Sequence, residues 1–264
     1  PKEALALTTN TQPVMLVAGV AAYRAWRHEG GAAPAVMAGH SLGEYSALVA
    51  AGVLTLAQAT PLVRLRATAM QEAVPVGVGA MAAILGLESA RVIEGCREAQ
   101  AQLPSGEVVE AVNFNDPAQT VIAGTKAGVD KGCEVLKALG AKRALPLPVS
   151  APFHSSLMKP AADKLRAALE GLSLGAPQIP VLNNIDVTLE TAPEKIRDAL
   201  YRQAFGPVRW VECVKAMGAM GVNTVVECGP GKVLAGMTRR IDAGLNGLAL
   251  LDPATLAEVK GALA

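Results

Sequence analysis

Residues 34–50, Pro-Ala-Val-Met-Ala-Gly-His-Ser-Leu-Gly-Glu-Tyr-Ser-Ala-Leu-Val-Ala, decide the fold of this chain. The apolar run 34–38 predicts a short buried strand, and helical spacing of apolar residues resumes from Glu44. Between them, residues 39–43 read Gly-x-Ser-x-Gly, the pattern of a tight strand-to-helix turn that exposes a serine hydroxyl. The amide of Leu42, at the start of the helix, can donate a hydrogen bond to an oxyanion. The stretch therefore predicts an α/β fold with Ser41 as a nucleophile.

Outward from this stretch, the pattern divides the chain into two kinds of structure. Before residue 75 and after residue 148, strands and helices alternate, which predicts a parallel sheet with helices on both faces. The middle predicts the order βαββαβ, the split βαβ arrangement of ferredoxin-like domains. Its strands are expected at 80–85, 108–115, 119–123 and 142–147, and its helices at 89–102 and 126–139. We therefore predict an α/β domain formed by 1–75 and 148–264, with an α+β subdomain, 76–147, inserted into it.

The composition excludes several classes of function. Lys and Arg number 24 against 23 Asp and Glu in 264 residues, and aromatic residues make up 3%. A net charge of +1 with few aromatic rings does not favour a nucleic-acid partner. The longest uncharged stretch, 45–63, contains polar residues and Pro61, so it predicts two helices and no membrane span. Four cysteines without CxxC spacing predict neither a disulfide framework nor a metal site, and they favour a cytoplasmic location.

A nucleophilic serine needs a base, and the sequence offers three histidines. His28 lies at the polar end of a predicted helix, where exposure to solvent is expected. His40 adjoins Ser41, and successive side chains on a strand point to opposite faces, so His40 is poorly placed to take the serine proton. His154 lies between a predicted strand and a predicted helix, where α/β folds place functional loops. Elimination favours His154 as the base, with a polar surface position as the alternative.

The spacing leaves open which group orients this histidine. A carboxylate that follows the serine in the chain would be Asp116 or Asp130, and both fall in the inserted region. A backbone carbonyl can hold the imidazole tautomer instead. Arg66, on the helix after the serine helix, is either a solvated surface cation or a buried guanidinium that binds a substrate carboxylate.

Six stretches of the chain match one family in combination. They are GHSLGEYSALVAAG, the Arg66 helix with MQEA, VNFNDP, LPVSAPFHS, VLNNID and ECGPGKVLAG. Over about residues 5 to 250, the chain resembles the malonyl-CoA:acyl carrier protein transacylases of bacterial fatty-acid synthesis. The resemblance implies an α/β-hydrolase-like domain with a ferredoxin-like insert. It also implies ping-pong transfer of malonyl from malonyl-CoA to the phosphopantetheine thiol of acyl carrier protein, through a malonyl-serine and without a cofactor, since the coenzyme A thioester is a substrate.

Position by position, the resemblance implies roles for individual residues. Ser41 would be the nucleophile, His154 its base, and Gln203 the residue whose backbone carbonyl orients the histidine. Arg66 would pair with the malonyl carboxylate, and Leu42 would supply one oxyanion amide. The residues expected to line the substrate site are Gln12, His40, Asn113, Asn115 and Phe153.

Two of these residues bear on the choice of acyl group. Leu42 and Phe153 resemble the malonyl-selecting members, whereas members that take methylmalonyl tend to carry Gln and Ser there. Phe153 would fill the space that an α-methyl branch needs, an effect of about 1–3 kcal/mol. The sequence therefore predicts selection for malonyl.

The sequence departs from the family at its N-terminal side. A Gly-Gln-Gly-Ser-Gln loop, whose second residue supplies another oxyanion amide in the family, does not occur here. We expect either that the sequence is a fragment of a longer protein or that this chain alone is impaired, because losing one oxyanion donor costs about 10²–10³ in turnover. Two alternatives are a thioester or ester hydrolase, and a non-catalytic module that binds carrier protein.

Overall fold

The computed structural model of the protein describes residues 2–149 and 151–263. Pro1 and Ala264, the outer ends of the predicted segments 1–75 and 148–264, lie outside the described residues, as does Ser150. Helices and strands alternate over most of the described chain, so the mixed α/β character is confirmed.

The helices and strands have the following bounds. The helices are α1 (Lys2–Ala6), α2 (Thr8–His28), α3 (Gly43–Ala50), α4 (Leu56–Glu72), α5 (Ser89–Ala101), α6 (Lys126–Ala138), α7 (Lys159–Glu170), α8 (Pro193–Ala204), α9 (Trp210–Ala219), α10 (Val233–Ile241) and α11 (Pro253–Ala262). The strands are β1 (Met37–Ala38), β2 (Gly79–Leu85), β3 (Val109–Asp116), β4 (Gln119–Thr125), β5 (Arg143–Pro146), β6 (Val181–Leu182), β7 (Thr224–Cys228) and β8 (Asn246–Leu250). A 3₁₀ turn, Ser156–Met158, precedes α7. None of the helices in the described residues is both long enough and apolar enough to cross a bilayer.

The middle of the chain forms an antiparallel sheet in the order β3-β4-β2-β5, with α5 and α6 packed on it. The six elements predicted between 80 and 147 are all present, each within two residues of its expected bounds. Alternate residues of β2, Ala82 and Ile84, face a core that includes Ile122, Val92 and Leu136. The intervening residues Met81 and Ala83 belong to a second buried cluster with Val112 and Val121, so both faces of this sheet are covered.

The remaining strands pair in parallel, as predicted, but not in one sheet. Among the described residues, β1 pairs with β6 and β7 pairs with β8, as two separate two-stranded ladders. A cavity of about 970 Å³ is lined by residues of both the β1 segment and β7.

A helical core positions the candidate site residues. α2 and α4 pack against each other, and α4 also packs against α7, which contacts α8. Leu16 of α2, Met70 of α4 and Leu200 of α8 belong to one buried cluster, together with Tyr45 of α3. Packing along this cluster brings α2, α3 and α4 together at the cavity beside β1.

Candidate active site

The serine turn begins where β1 ends. Ser41 has φ = 53°, in the left-handed region that non-glycine residues rarely occupy. A Cβ placed on Gly39 would lie 1.9 Å from the carbonyl carbon of Gly43, so only glycine fits at position 39. A Cβ on Gly43 would meet no atom within 4 Å, so steric crowding does not require the second glycine of the motif. The turn is therefore tight because the backbone crosses itself closely at Gly39.

His154 lies opposite this turn, in the loop between β5 and the 3₁₀ turn. Its Nε2 is 2.7 Å from Ser41 Oγ, and its Nδ1 is 2.9 Å from the backbone carbonyl oxygen of Gln203 in α8. A carbonyl oxygen can only accept, so Nδ1 carries the proton and Nε2 is free to accept the serine proton. The imidazole is 4% exposed, and its backbone also lies in the left-handed region, with φ = 66°. The geometry is that of a serine paired with a neutral histidine base.

The other candidates for base and acid lie in different contacts. His40 Nε2 is 2.8 Å from Asn115 Oδ1, and its ring meets Trp210 edge to face at 5.7 Å. Asp116 accepts from Arg240 Nε at 3.1 Å, across from β3 to α10. Asp130 is exposed and pairs with a lysine in its own helix. Asp116 and Asp130, the two carboxylates that the spacing allowed, therefore bind other groups. The group that orients His154 is a backbone carbonyl, the other possibility that the sequence left open.

Arg66 completes the group around Ser41. The guanidinium is 2% exposed, so the surface alternative from the sequence is wrong. Its Nη2 lies 3.1 Å from both Ser41 Oγ and Gln203 Oε1, and its Nη1 donates to Gln12 Oε1. Its Cζ is 5.3 Å from the centre of the Tyr45 ring. Among the described residues, no carboxylate lies within ion-pair distance of this buried cation.

Burial changes the proton affinities of the site. Desolvation, and next the positive charge of Arg66, lower the pKa of His154 to about 3, while the hydrogen bond to the Gln203 carbonyl opposes the shift. Desolvation also lowers the pKa of Arg66, but a guanidinium keeps its proton in proteins. His154 is therefore neutral at neutral pH, in the protonation state that a general base needs.

The remaining predicted residues line the same cavity. Phe153 and Leu42 flank the catalytic pair along the chain, and both pack against the helical core. Asn113 is buried in β3, and Asn115 faces His40. The amide of Leu42 lies at the N-terminal end of α3, where helix amides lack an intrahelical acceptor. This lining is a mostly apolar cleft with a few polar groups, as small-molecule sites usually have.

Two polar residues at the site were assigned no role by the sequence. Glu44, in the first turn of α3, is 2% exposed, and Asn184, after β6, is fully buried. Asn184 Oδ1 accepts from the Ser41 amide at 2.7 Å, and its Nδ2 donates to the Gly39 carbonyl at 2.8 Å. Glu44 directly follows the Gly-x-Ser-x-Gly motif, but acidic residues are common in the first turn of surface helices, where they favour the helix dipole. The sequence therefore did not mark Glu44 as a site residue, and only its burial and hydrogen bonds in the structure do so.

Together, these groups can carry out one kind of chemistry. A serine with a neutral imidazole base can take up an acyl group, and a helix-start amide can bind the oxyanion that forms. A buried guanidinium 3.1 Å from the same serine oxygen favours an acyl group that ends in a carboxylate. The site is thus suited to acyl transfer with an anionic acyl chain.

Comparisons with known proteins agree with this chemistry. A family model described as "Acyl transferase domain" matches residues 1–247. The malonyl CoA-acyl carrier protein transacylase of Escherichia coli K12 is 54% identical over 257 residues, which are 97% of this chain and 82% of that protein. The crystal structure of an acyl-carrier-protein S-malonyltransferase from Burkholderia pseudomallei is 64% identical, with a TM-score of 0.95 over 98% of this chain and 83% of that chain. A malonyl-transacylase solved in complex with its type II PKS acyl-carrier protein is 52% identical, with a TM-score of 0.94 over 97% and 82% of the two chains.

Proposed function

The chain belongs to the acyl transferase family, among the malonyl CoA-acyl carrier protein transacylases, and on this premise we propose that Ser41 carries the malonyl group during transfer. The enzyme transfers malonyl from malonyl-CoA to acyl carrier protein, as in fatty-acid synthesis. The acceptor is the phosphopantetheine thiol of the carrier, and coenzyme A is the first product. The reaction is a ping-pong transfer in which both thiols use one cleft.

The buried cation of Arg66 is the observation that carries the proposal. An ionised side chain buried without a counter-ion is costly, so such a group is normally paired. Arg66 is 2% exposed and forms no ion pair with a described residue. Glu44 acts on Arg66 only by attraction beyond ion-pair distance, whereas the free carboxylate of malonyl would supply a direct partner and can bind a guanidinium with two parallel hydrogen bonds. When the acyl group has no carboxylate, the guanidinium of Arg66 stays buried without an ion-pair partner, and the free-energy cost of burying it remains.

The first half-reaction forms the malonyl-serine. Ser41 Oγ attacks the thioester carbonyl carbon while its proton passes to His154 Nε2, 2.7 Å away. The amide of Leu42 donates to the oxyanion of the tetrahedral intermediate. The carbon–sulfur bond then breaks, and coenzyme A leaves as the thiol with the proton from His154.

The second half-reaction runs in the reverse sense with a new thiol. The phosphopantetheine thiol gives its proton to His154 and attacks the ester carbonyl carbon. The bond to Ser41 Oγ breaks, and the serine oxygen recovers the proton from His154. The malonyl thioester of the carrier leaves with no net change in the enzyme.

Binding of the malonyl carboxylate would also strengthen the base. The positive charge of Arg66 is the second cause that lowers the pKa of His154. A carboxylate on Arg66 offsets that charge, so the imidazole takes up the serine proton more readily. The base would therefore be strongest when the correct acyl group is bound, which links substrate recognition to chemistry.

The other residues that line the cavity would select the acyl group and hold the rest of the substrate. Phe153 would exclude an α-methyl branch beside the acyl carbonyl. Gln12 holds Arg66 through its amide oxygen, and its side chain is buried. We propose that His40, Asn113 and Asn115 line the part of the cleft that receives the pantetheine arm, since all three border the cavity. No residue of this set calls for a cofactor.

We propose that the fold divides as the sequence predicted. Residues 76–147 would form a ferredoxin-like subdomain, supported by the sheet order β3-β4-β2-β5 with two helices packed on it. Residues 1–75 and 148–264 would form an α/β-hydrolase-like domain, supported by the strand–turn–helix at Ser41 and the parallel pairs. The cleft between them is bordered by Asn113 on one side and Ser41 on the other.

The test is the detection of the acyl-enzyme. The full protein is mixed with radiolabelled malonyl-CoA, quenched in acid and digested, and the labelled peptide is identified. We expect one label on the peptide that contains Ser41, discharged when carrier with its phosphopantetheine arm is added. Absence of label in the wild type, or undiminished label in Ser41→Ala, would refute the proposal. Release of free malonate faster than transfer would favour the hydrolase alternative.

A further inference from the structure

Glu44 is a buried carboxylate that the transfer steps do not use. It lies in the first turn of α3, three residues after Ser41, and is 2% exposed. One oxygen, Oε2, accepts two hydrogen bonds: from the Asn184 amide at 2.9 Å and from Gln203 Nε2 at 2.8 Å. Burying a carboxylate is costly, so a position that keeps one needs a reason in its contacts.

Both partners of Glu44 touch the catalytic pair. Asn184 holds the nucleophile turn through the Ser41 amide and the Gly39 carbonyl. Gln203 holds His154 through its backbone carbonyl, and its Nε2 also donates to the Ser41 carbonyl at 3.1 Å. Glu44 therefore stands between the segment that carries the serine and the helix that carries the partner of the histidine.

The catalytic backbone needs this support. Ser41 and His154 both lie at positive φ, at 53° and 66°. Such conformations cost about 1–3 kcal/mol each and persist only where the surroundings hold them. Hydrogen bonds from Asn184 and Gln203 hold these two backbone segments in place. Glu44 in turn holds both Asn184 and Gln203 through one oxygen atom.

The groups that face Glu44 come from three elements, and two of these groups are charged. Arg66 of α4 attracts the carboxylate and Asp186, after β6, repels it, while Gln203 of α8 is neutral. Asp186 forms a bidentate ion pair with Arg202, and this pair links the loop after β6 to α8 on the outer side. The two segments that Glu44 joins are thus also joined at the surface, and Glu44 adds the link to the serine turn.

We propose that Glu44 is a positioning residue, which sets the distance between Ser41 Oγ and His154 Nε2 by holding Asn184 and Gln203 at once. This rests on the proposed function only in taking Ser41 and His154 as the reacting pair, and not in the identity of the acyl group. Loss of the carboxylate removes one hydrogen bond from the Gln203 side chain and the acceptor of the Asn184 backbone amide, and the serine–histidine contact lengthens. The predicted loss is in activation of the serine rather than in folding.

The experiment measures serine activation without malonyl. Phenylmethanesulfonyl fluoride modifies an activated serine and needs neither malonyl nor the Arg66 contact to a carboxylate. Its rate of inactivation is compared in the full wild-type protein, Glu44→Ala, Glu44→Gln and the control Thr238→Val. Thr238 is fully buried in α10 and donates to the Leu234 carbonyl at 2.9 Å, away from the site. The control therefore removes one buried hydrogen bond without touching the catalytic pair.

We expect Glu44→Ala to slow sulfonylation and malonyl transfer by at least about tenfold, which corresponds to the loss of two buried hydrogen bonds. Glu44→Gln retains an amide oxygen that can accept both bonds, so its loss should stay below about fivefold. Thr238→Val should sulfonylate at the wild-type rate. If Glu44→Ala does not fold, Glu44→Asp carries the test, because a carboxylate withdrawn by one methylene cannot reach both partners.

A double-mutant cycle separates positioning from general destabilisation. If Glu44 acts through Gln203, the double variant Glu44→Ala/Gln203→Ala should sulfonylate about as slowly as the slower single variant. Additive losses, or a wild-type sulfonylation rate in Glu44→Ala, would overturn the inference. A wild type that is sulfonylated but never loads malonyl would refute the proposed function and leave the inference on Glu44 standing.

Discussion

The backbone carbonyl of Gln203 accepts a hydrogen bond from His154 Nδ1 at 2.9 Å, on the side of the ring opposite Ser41. A neutral carbonyl holds the tautomer and the ring orientation as a carboxylate would, but it offers less stabilisation to an imidazolium. The charged group with the largest effect on the pKa of His154 is the cation of Arg66, which disfavours imidazolium further. The arrangement therefore depends on the substrate carboxylate to offset Arg66 during the reaction.

Replacing Arg66 should remove the preference for an acyl carboxylate. We expect Arg66→Ala to lower kcat/KM for malonyl-CoA by about 10²–10³, because breaking a buried charge pair costs about 2–5 kcal/mol. Because acetyl-CoA lacks the carboxylate, kcat/KM for acetyl-CoA should change little in the same variant. The comparison is of steady-state rates with the two substrates, and an equal loss for both would contradict the assignment. Arg64→Ala is the matched control, since Arg64 lies on the same helix and contacts the Thr9 carbonyl and Asn10 instead.

Shortening Phe153 should widen the range of acyl groups. Phe153→Ser opens space beside the acyl carbonyl, so methylmalonyl-CoA should gain about 10- to 100-fold relative to malonyl-CoA. The ratio of kcat/KM for the two substrates in one competition assay gives the measurement. An unchanged ratio would mean that another residue limits the α-carbon. The malonyl rate itself reports whether the substitution disturbs His154, which follows directly in the chain.

The two glycines of the serine turn should respond differently to a methyl group. Gly39→Ala places a Cβ 1.9 Å from a backbone carbon, so we expect a severe loss of stability or no folded protein. Gly43→Ala meets open space and has no positive φ, so its thermal midpoint should stay within a few degrees of the wild type. Thermal melts followed by circular dichroism test both. A comparable loss in the two variants would contradict the crowding at Gly39.

The buried imidazole should make the protein sensitive to acid. Between pH 6.5 and about 3, His154 binds a proton in the unfolded chain but not in the folded one, so stability falls as the pH is lowered through this range. The variant His154→Gln lacks this proton-binding group, so its free energy of unfolding should fall less steeply than that of the wild type between pH 6.5 and about 3. Urea denaturation at fixed pH values provides the measurement. A slope identical to the wild type would show that His154 is protonated in the fold.

Glu44 should act in the opposite direction. Burial raises its pKa from 4.5 to about 7, against the effects of its hydrogen bonds and Arg66. Between these pH values the folded state holds the proton that the unfolded state has released, so this group lowers stability as the pH rises. Glu44→Gln should therefore gain stability relative to the wild type from pH 4.5 to 7, in the same urea titration. A constant difference between the two proteins across that range would contradict the shift.

The sequence by itself determined the local structure of this protein. The Gly-x-Ser-x-Gly turn and the six elements between 80 and 147 follow from periodicity and turn residues, which act over a few neighbouring positions. Ser41 and His154 could be selected by residue type, because few side chains serve as nucleophile or base. These features need only short-range information.

Only the tertiary structure decided how the site is completed. The partner of His154 is a carbonyl, a group that every residue has, so no side chain marks Gln203; its role came from a family resemblance. Arg66 could have been a surface cation, and Glu44 an ordinary charge at a helix start, until packing buried both. The pairing of β1 with β6 and of β7 with β8 likewise depends on long-range closure of the chain. Contacts between distant segments depend on how whole elements pack, and that information is not present in any local pattern.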